Sequence, residues 1–290
     1  MKAAFLPDRG VIRISGDDAR TLLNGLVTSD VTRLAPDHPR FGALLTPQGK
    51  IVADFLIAED ADGSLLLDCP RELAQPLATK LNFYKLRAKV AIDNLSHTRG
   101  VLAAWDGAPD AWPAGAFADP RHAALGHRIV LAPDEAAATA AAIGAELSDA
   151  DAYEAHRIAC GVPRGGVDFA YGDAFPHETN MDRLNGVDFD KGCYIGQEVV
   201  SRMQHRGTAR TRTVRLALDG AAPEPGTPVV AGGKPLGTFG SAAEGRALAL
   251  LRIDRVNDAL DAGHAVTAAD TPLRIADPDD IRMPAPQVRV

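Results

Sequence analysis

The chain has 290 residues, of which 46% are hydrophobic and 24% charged, and its formal net charge is −7. This length allows one to three domains with sizeable cores, and the acidic balance argues against a surface built throughout for nucleic acid. The N-terminus has no apolar stretch of signal-peptide length and no window reaches membrane-span length, so we expect a cytoplasmic protein.

The three cysteines are odd in number and lie far apart in the sequence, at Cys69, Cys160 and Cys193. They form no C-x-x-C pair, no zinc-ligand spacing and no disulfide framework. We therefore expect no self-contained metal site or iron–sulfur site.

The first third of the chain predicts strands and helices in mixed order. Residues 11–16 alternate as a strand, and Asp17 and Asp18 open a helix. Turn residues divide 41–69 into three apolar runs, which predicts a β-meander. A helix then starts at Pro70, and a strand follows at 88–92. This order is typical of an α+β fold with antiparallel pairing rather than of a doubly wound parallel sheet.

The middle of the chain is less regular. Residues 106–120 are rich in Pro, Gly, Ala and Asp and predict a loop or linker, whereas the alanine-rich stretch 134–150 favours a helix. Residues 151–160 predict another helix, and 161–194 predict extended, irregular backbone. Residues 197–206 return to helix and end at Gly207.

From 210 to 276 the sequence breaks into short β runs separated by glycine and proline turns, which predicts a small antiparallel barrel. The clearest domain boundary therefore falls at about 208. We predict an N-terminal α+β region at 1–105, a middle α+β region at 106–207 and a C-terminal β-barrel at 208–290.

The segment DKGCYIGQE, 190–198, is the strongest candidate for chemistry. Lys191 precedes Cys193 by two residues and a predicted helix begins just after it, and both features stabilise a thiolate. The alternative is a small buried cysteine in a turn held by Gly192 and Gly196.

Two further polar groups are candidates for ligand binding. Glu154 and Arg157 are three residues apart on a helix, so they either pair with each other or face a cleft together. Glu178 and Asn180 present acceptors and a donor that suit the edge of a heterocycle, with a solvated loop as the alternative.

Basic residues concentrate in two stretches, 80–89 and 202–215. On an acidic chain these stretches suit phosphates or an oligo-carboxylate. The alternative is an ordinary solvent-facing surface.

Residues 185–207, NGVDFDKGCYIGQEVVSRMQHRG, resemble the K-G-C-Y-x-G-Q-E motif of the YgfZ family. These folate-binding proteins are related to the T-protein, the aminomethyltransferase of the glycine cleavage system. Residues 23–30, 45–50, 84–90 and the segment from Glu154 also look like family segments in family order. The run 176–205 is most similar to the mitochondrial branch of the family.

The resemblance implies a three-domain, T-protein-like fold around a central cavity that holds tetrahydrofolate, with ferredoxin-like α+β regions and a C-terminal small antiparallel β-barrel. It implies a role in assembly or repair of iron–sulfur clusters in a subset of [4Fe–4S] proteins, including radical-SAM tRNA-modifying enzymes, through transient contact with the assembly machinery or client enzymes. Cys193 is the motif thiol. The expected folate-contacting residues are Asp54, Glu154, Arg157, Glu178, Asn180, Lys191, Tyr194, Gln197 and Glu198, and either basic stretch suits the glutamate tail.

Two other functions are weighed against this one. A folate-dependent aminomethyltransferase or demethylase is the first, but the T-protein carries two adjacent aspartates where this chain has Ala53 and Asp54. Direct RNA binding is the second, and the net charge argues against it.

Overall fold

The structure is a computed structural model that describes residues 1–284. These residues group into two compact units, each assembled from separate stretches of chain. The first unit contains Met1–Leu45, Val52–Tyr153 and Leu184–Ile195, and the second contains Thr46–Ile51, Glu154–Arg183 and the chain from Gly196 onward. The division at 105 and 207 stays a prediction, because these units follow long-range contacts rather than chain order.

The first unit contains two five-stranded sheets with three helices. Its strands are β1 (Lys2–Leu6), β2 (Arg9–Ser15), β3 (Arg40–Leu45), β4 (Ile51–Glu59), β5 (Leu65–Pro70), β6 (Ala91–Asn94), β7 (Gly100–Trp105), β8 (Ala116–Ala118), β9 (His127–Leu131) and β10 (Glu146–Ser148). Its helices are α1 (Ala19–Asn24), α2 (Arg71–Tyr84) and α3 (Ala136–Ala142), with short 3₁₀ turns at Val31–Arg33, Ala123–Leu125 and Pro133–Glu135.

The first sheet has the order β3-β4-β5-β2-β6 and contains the predicted meander. Helix α2 packs on its core through Ala74, Leu77, Ala78 and Leu81, which recur at helical spacing. The meander and the helix after Pro70 are therefore confirmed.

The second sheet has the order β10-β1-β7-β9-β8. Strand β1 pairs with β7, with Lys2 opposite Trp105, so the start of the chain completes a sheet that is otherwise built from residues 100–148. The stretch 106–120 is a loop as predicted, apart from the short β8 at its end. The alanine-rich stretch forms the helix α3 over only part of its length.

A buried ionic network joins the two sheets of the first unit. The Asp68 carboxylate on β5 accepts hydrogen bonds from Arg9 at 2.6 Å and from Arg128 on β9 at 3.2 Å. Arg128 also contacts Asp119 at 3.3 Å and donates to the Tyr153 hydroxyl at 2.9 Å. These charges are paired with one another, as buried charges must be.

The second unit contains a closed six-stranded barrel of order β11-β14-β13-β12-β15-β16. Its elements are α4 (Ala150–Ala159), which starts in the first unit, α5 (Gln197–Arg206), β11 (Thr211–Leu218), β12 (Pro228–Ala231), β13 (Lys234–Ala243), β14 (Arg246–Arg252), α6 (Ile253–Asp261), β15 (Val266–Ala268), β16 (Thr271–Ile275) and a 3₁₀ turn at Pro278–Ile281. The predicted α+β class, the C-terminal barrel and the helix at 197–206 are confirmed. Helix α6 was not predicted.

Candidate functional site

The loop that carries Cys193 belongs to the first unit up to Ile195. Thr28 holds the start of this loop: its hydroxyl donates to the Gly186 carbonyl at 2.5 Å, and its carbonyl accepts from the Asp188 N–H at 2.9 Å. Thr28 is fully buried. Two stretches that resemble family segments, 23–30 and the motif loop, therefore lie against each other.

Lys191 anchors the same loop. Its ammonium donates to three backbone carbonyls, those of Asn24 at 2.8 Å and of Val27 and Ser29 at 2.7 Å each. Burial lowers the pKa of Lys191 to about 8, although the nearby Asp30 and Asp188 carboxylates act in the opposite direction. An ammonium has three N–H donors, so all of them have acceptors within the chain. A contact from Lys191 to folate stays a prediction and would require one of these bonds to be given up.

Cys193 is exposed, whereas Cys69 is buried and Cys160 is intermediate. The alternative of a buried turn cysteine is therefore excluded. Gly196 has a φ of +80° immediately before helix α5, a left-handed conformation that favours glycine. This turn ends the loop three residues after the thiol.

The other motif residues have different surroundings. Tyr194 is half-buried, its ring centroid lies 5.2 Å from the Lys191 Nζ, and burial raises the pKa of its hydroxyl. The Glu198 side chain is 84% exposed and pairs with Arg202 at 2.6 Å on the surface of α5, and Gln197 is half-buried at the start of that helix. Glu198 thus has the contacts of an ordinary surface ion pair.

We expect one thiol of the native protein to react selectively with a small alkylating reagent. At pH 8, Cys193 should be modified at least about tenfold faster than Cys69, because burial raises the pKa of Cys69 to about 12 and removes it from solvent. Mass spectrometry of peptides after timed alkylation gives the three rates. Equal labelling of Cys69 and Cys193 under native conditions would contradict the structure, and denatured protein provides the control in which all three react.

In the second unit, Arg157 on α4 is buried and all its N–H groups are hydrogen-bonded. Its Nε and Nη2 donate to the two carboxylate oxygens of Glu154, at 2.9 and 2.6 Å. Its Nη1 donates to the Val162 carbonyl and to Asp168 at 3.0 Å, and its Nη2 also donates to the Ser241 hydroxyl at 2.8 Å. Of the two alternatives for Glu154 and Arg157, the structure has the ion pair. All five N–H donors are used, so direct binding of folate by Arg157 stays a prediction without support from its contacts.

Asp168 is the centre of this cluster, and the sequence did not predict its hydrogen bonds to Ser241 and to the Arg164 N–H. Its Oδ1 accepts from the N–H and the hydroxyl of Ser241, each at 2.7 Å, and its Oδ2 accepts from Arg157 and from the Arg164 N–H at 2.7 Å. A Cβ on Gly240 would lie 2.4 Å from Asp168 Oδ1, so glycine is required there. The cluster therefore fixes helix α4 and the irregular segment after it to barrel strand β13.

Glu178 and Asn180 lie together on the irregular segment, next to strand β11. The Glu178 carboxylate accepts from the Phe175 N–H at 2.8 Å, and burial raises the pKa of this carboxyl. The Asn180 amide donates to the Thr213 carbonyl at 2.8 Å. The Asn180 Oδ1 is buried and has no hydrogen-bond partner among residues 1–284. A buried acceptor in this state has the capacity to bind a donor from a ligand.

Asp54 lies on β4 in the first unit and is 8% exposed, next to Ala53, which is 1% exposed. Ala53 cannot supply the second carboxylate of the T-protein pair. The structure thus leaves Asp54 as a single buried carboxylate at this position.

No group of three or more His, Cys, Asp or Glu side chains within residues 1–284 is arranged to bind a metal ion. Within the same residues no helix combines the length and apolar character needed to cross a membrane.

Comparison with known proteins identifies the family. Residues 210–282 match the family described as the C-terminal β-barrel domain of CAF17. The human iron–sulfur cluster assembly factor IBA57, mitochondrial, is 33% identical over 283 residues, which cover 88% of this chain and 78% of the human protein. The mouse protein of the same name is 30% identical over 284 residues, with the same coverage. This chain belongs to the IBA57 family.

The fungal relatives are longer. The IBA57 homologue of Mycosarcoma maydis is 38% identical over 232 residues, which are 75% of this chain and 57% of the fungal protein. The chain thus spans little more than half the length of that relative. The mitochondrial branch that the motif indicated is the one these IBA57 relatives represent.

The cytoplasmic localisation predicted above is wrong, because these relatives are all named as mitochondrial proteins. Hydropathy detects apolar signals, whereas mitochondrial import signals are amphipathic. Hydropathy therefore could not distinguish a cytoplasmic protein from a mitochondrial one.

Among solved structures, glycine cleavage system aminomethyltransferase T from Bartonella henselae aligns with 99% of this chain and 88% of its own, with a TM-score of 0.69 and 14% identity. This confirms the T-protein-like fold. At this identity the likeness shows the fold alone.

Proposed function

We propose that this IBA57-family chain is an iron–sulfur cluster assembly factor in which the Cys193 thiolate is a transient ligand of a cluster in transfer. The exposed Cys193, on a loop held by Lys191 and Thr28, is the observation that carries this proposal. The names of the IBA57 relatives support the same class of function.

The cluster is cargo rather than a resident cofactor. Protein-bound clusters are typically held by four ligands, and Cys193 supplies one of them. No metal-binding group of side chains is present among the described residues. The remaining ligands therefore come from a partner protein, which delivers or receives the cluster. We propose [4Fe–4S] proteins as the recipients, including radical-SAM tRNA-modifying enzymes.

The test is cluster transfer in a reconstituted system. Wild type, Cys193→Ser and the control Cys160→Ser are added to a cluster-loaded carrier and an apo recipient of the [4Fe–4S] class, and recipient activity is followed. We expect Cys193→Ser to fall to the level without the factor, while Cys160→Ser retains activity, because serine is a poor iron ligand. Full activity of Cys193→Ser would exclude the thiol from the transfer.

We also propose that the chain binds tetrahydrofolate through Glu178 and Asn180. The partnerless Asn180 Oδ1 and the half-buried Glu178 carboxyl fit the N–H donors of a pterin ring. Bound tetrahydrofolate would supply a carrier for one-carbon units. The role of the two side chains is to bind and orient the ring.

Calorimetric titration with tetrahydrofolate tests this second proposal. We expect the wild type to bind, and Glu178→Gln to bind about tenfold more weakly, because the amide loses a charge-assisted acceptor but can still accept from the Phe175 N–H. The surface variant Glu198→Gln is the matched control and should bind like the wild type. An absence of binding by the wild type would overturn the folate proposal without affecting the cluster assay.

A further inference from the structure

The C-terminal end of helix α2 presents two large apolar side chains to solvent. Phe83 is 77% exposed and Leu86 is 86% exposed. Other exposed large hydrophobics among residues 1–284 reach at most 50%, at Leu147. Phe83 lies in the last turn of α2, and Leu86 follows the last residue of the helix by two, so both are at the same end of the helix. Exposed apolar side chains that cluster in this way are typical of interaction surfaces.

Leu86 adopts a left-handed backbone conformation, with a φ of +47°. It follows the last residue of α2 by two, at the position where a helix commonly ends in a left-handed glycine. A leucine there costs free energy relative to glycine. Since its side chain is largely exposed, packing within residues 1–284 does not offset this cost. An exposed, strained leucine that no contact within these residues stabilises indicates that Leu86 interacts with another molecule.

An open cavity of about 530 Å³ adjoins Phe83 in the first unit. Leu73, Pro76, Leu77 and Tyr84 form much of its wall, and Lys80 also lines it. The lining is predominantly apolar, so the cavity suits hydrocarbon rather than a polar ligand. The cavity extends the apolar surface inward from Phe83.

Basic residues predominate in the sequence around this surface. Residues 73–92 contain Lys80, Lys85, Arg87 and Lys89 and no acidic residue, on a chain of net charge −7. Lys85 donates to the Val90 carbonyl, and Lys89 lies 4.0 Å from Asp17. Within residues 1–284, neither Lys80 nor Arg87 forms an ion pair. Two cations thus remain available beside the apolar pair.

We propose that this surface, Lys80, Phe83, Leu86 and Arg87 with the adjoining cavity, binds the surface of an anionic lipid membrane. Apolar side chains that protrude among positively charged side chains match the interfacial region of a bilayer, where hydrocarbon lies beneath negatively charged headgroups. Phe83 and Leu86 enter the acyl boundary, and Lys80 and Arg87 contact headgroups. This is peripheral attachment and requires no spanning helix.

Vesicle co-sedimentation tests the proposal. The full chain is mixed with phosphatidylcholine vesicles and with vesicles of phosphatidylcholine and phosphatidylglycerol. We expect binding to the mixed vesicles, weakened by salt, and little binding to phosphatidylcholine alone. Phe83→Ala with Leu86→Ala, and Lys80→Glu with Arg87→Glu, should each lower the partition coefficient about tenfold or more. Leu147→Ala with Leu260→Ala is the matched control and should bind like the wild type.

Leu86→Gly separates this role from a structural one. Glycine removes the apolar side chain and relieves the left-handed strain, so the variant should be at least as stable as the wild type but bind the vesicles more weakly. A Phe83→Trp reporter should shift its emission to the blue on vesicle addition. Absence of binding to anionic vesicles by the wild type, or unchanged binding by both double variants, overturns the proposal and would leave the surface to an acidic protein partner.

Discussion

Asp168→Asn is expected to lower the free energy of unfolding by about 3 kcal/mol. The carboxylate accepts hydrogen bonds from Arg157, Arg164 and Ser241. An amide of the same shape turns an NH₂ group toward two of these donors and removes a charge next to the buried Arg157. The unfavourable contacts cannot relax into solvent, because Asp168 is 4% exposed.

Urea unfolding followed by circular dichroism measures this effect for Asp168→Asn and for Asp219→Asn. Asp219 is the matched control: it also pairs with an arginine of the barrel, Arg274 at 2.6 Å, but its side chain is 82% exposed. Solvent screens such a pair, so its loss should leave the urea midpoint unchanged within error. Equal midpoints for the two variants would show that the buried cluster does not stabilise the second unit.

The elements that the sequence predicted well are those fixed by local patterns. Helix α5 runs from Gln197 to Arg206 as its apolar spacing and the terminal Gly207 indicated. The meander and the barrel strands follow from alternating apolar runs divided by turn residues. Their periodicity and their stop signals lie within a few residues of each other, so one sequence is enough to predict them.

The elements that were missed depend on partners that are distant in sequence. Strand β1 forms because it pairs with β7 and β10, which lie far along the chain at Gly100–Trp105 and Glu146–Ser148. Helix α6 follows β14 without a turn signal, and its apolar residues Ile253 and Val256 join the barrel core. Local patterns do not contain either contact.

In the candidate site, too, some features follow from local sequence and others depend on contacts with distant residues. The motif indicated Cys193 as the candidate thiol, and the structure exposes its side chain. Spacing could not choose between an ion pair and a cleft for Glu154 and Arg157, because the choice depends on Asp168 and Ser241, which fold onto them from further along the chain. The exposure of Phe83 could have been predicted from helical spacing. Leu73, Leu77 and Leu81 mark the core-facing side of α2, and Phe83 lies off that side.

Lys191→Met is expected to release the Cys193 loop. The substitution keeps the apolar stem but removes the donors to the carbonyls of Asn24, Val27 and Ser29. A loss of about 2 kcal/mol in the anchoring free energy raises the released population roughly 30-fold. Hydrogen–deuterium exchange should show this as lower protection of the amides in 186–195, with the rest of the chain unchanged. Lys234→Met, at an exposed barrel position, is the control.

The stability of the anchored loop is expected to rise with pH. The pKa of Lys191 is about 8 in the anchored loop and returns toward its ordinary value of 10.5 when release exposes the side chain to water. Release therefore takes up a proton between pH 8 and 10.5, so the loop should be held more firmly at pH 9.5 than at about pH 7.5. Protection factors of the loop amides, corrected for intrinsic exchange, should rise with pH in the wild type and stay constant in Lys191→Met. A parallel rise in the variant would show that the effect comes from another group. Protection factors that stay constant with pH in the wild type would show that the Lys191 ammonium is not desolvated in the anchored loop.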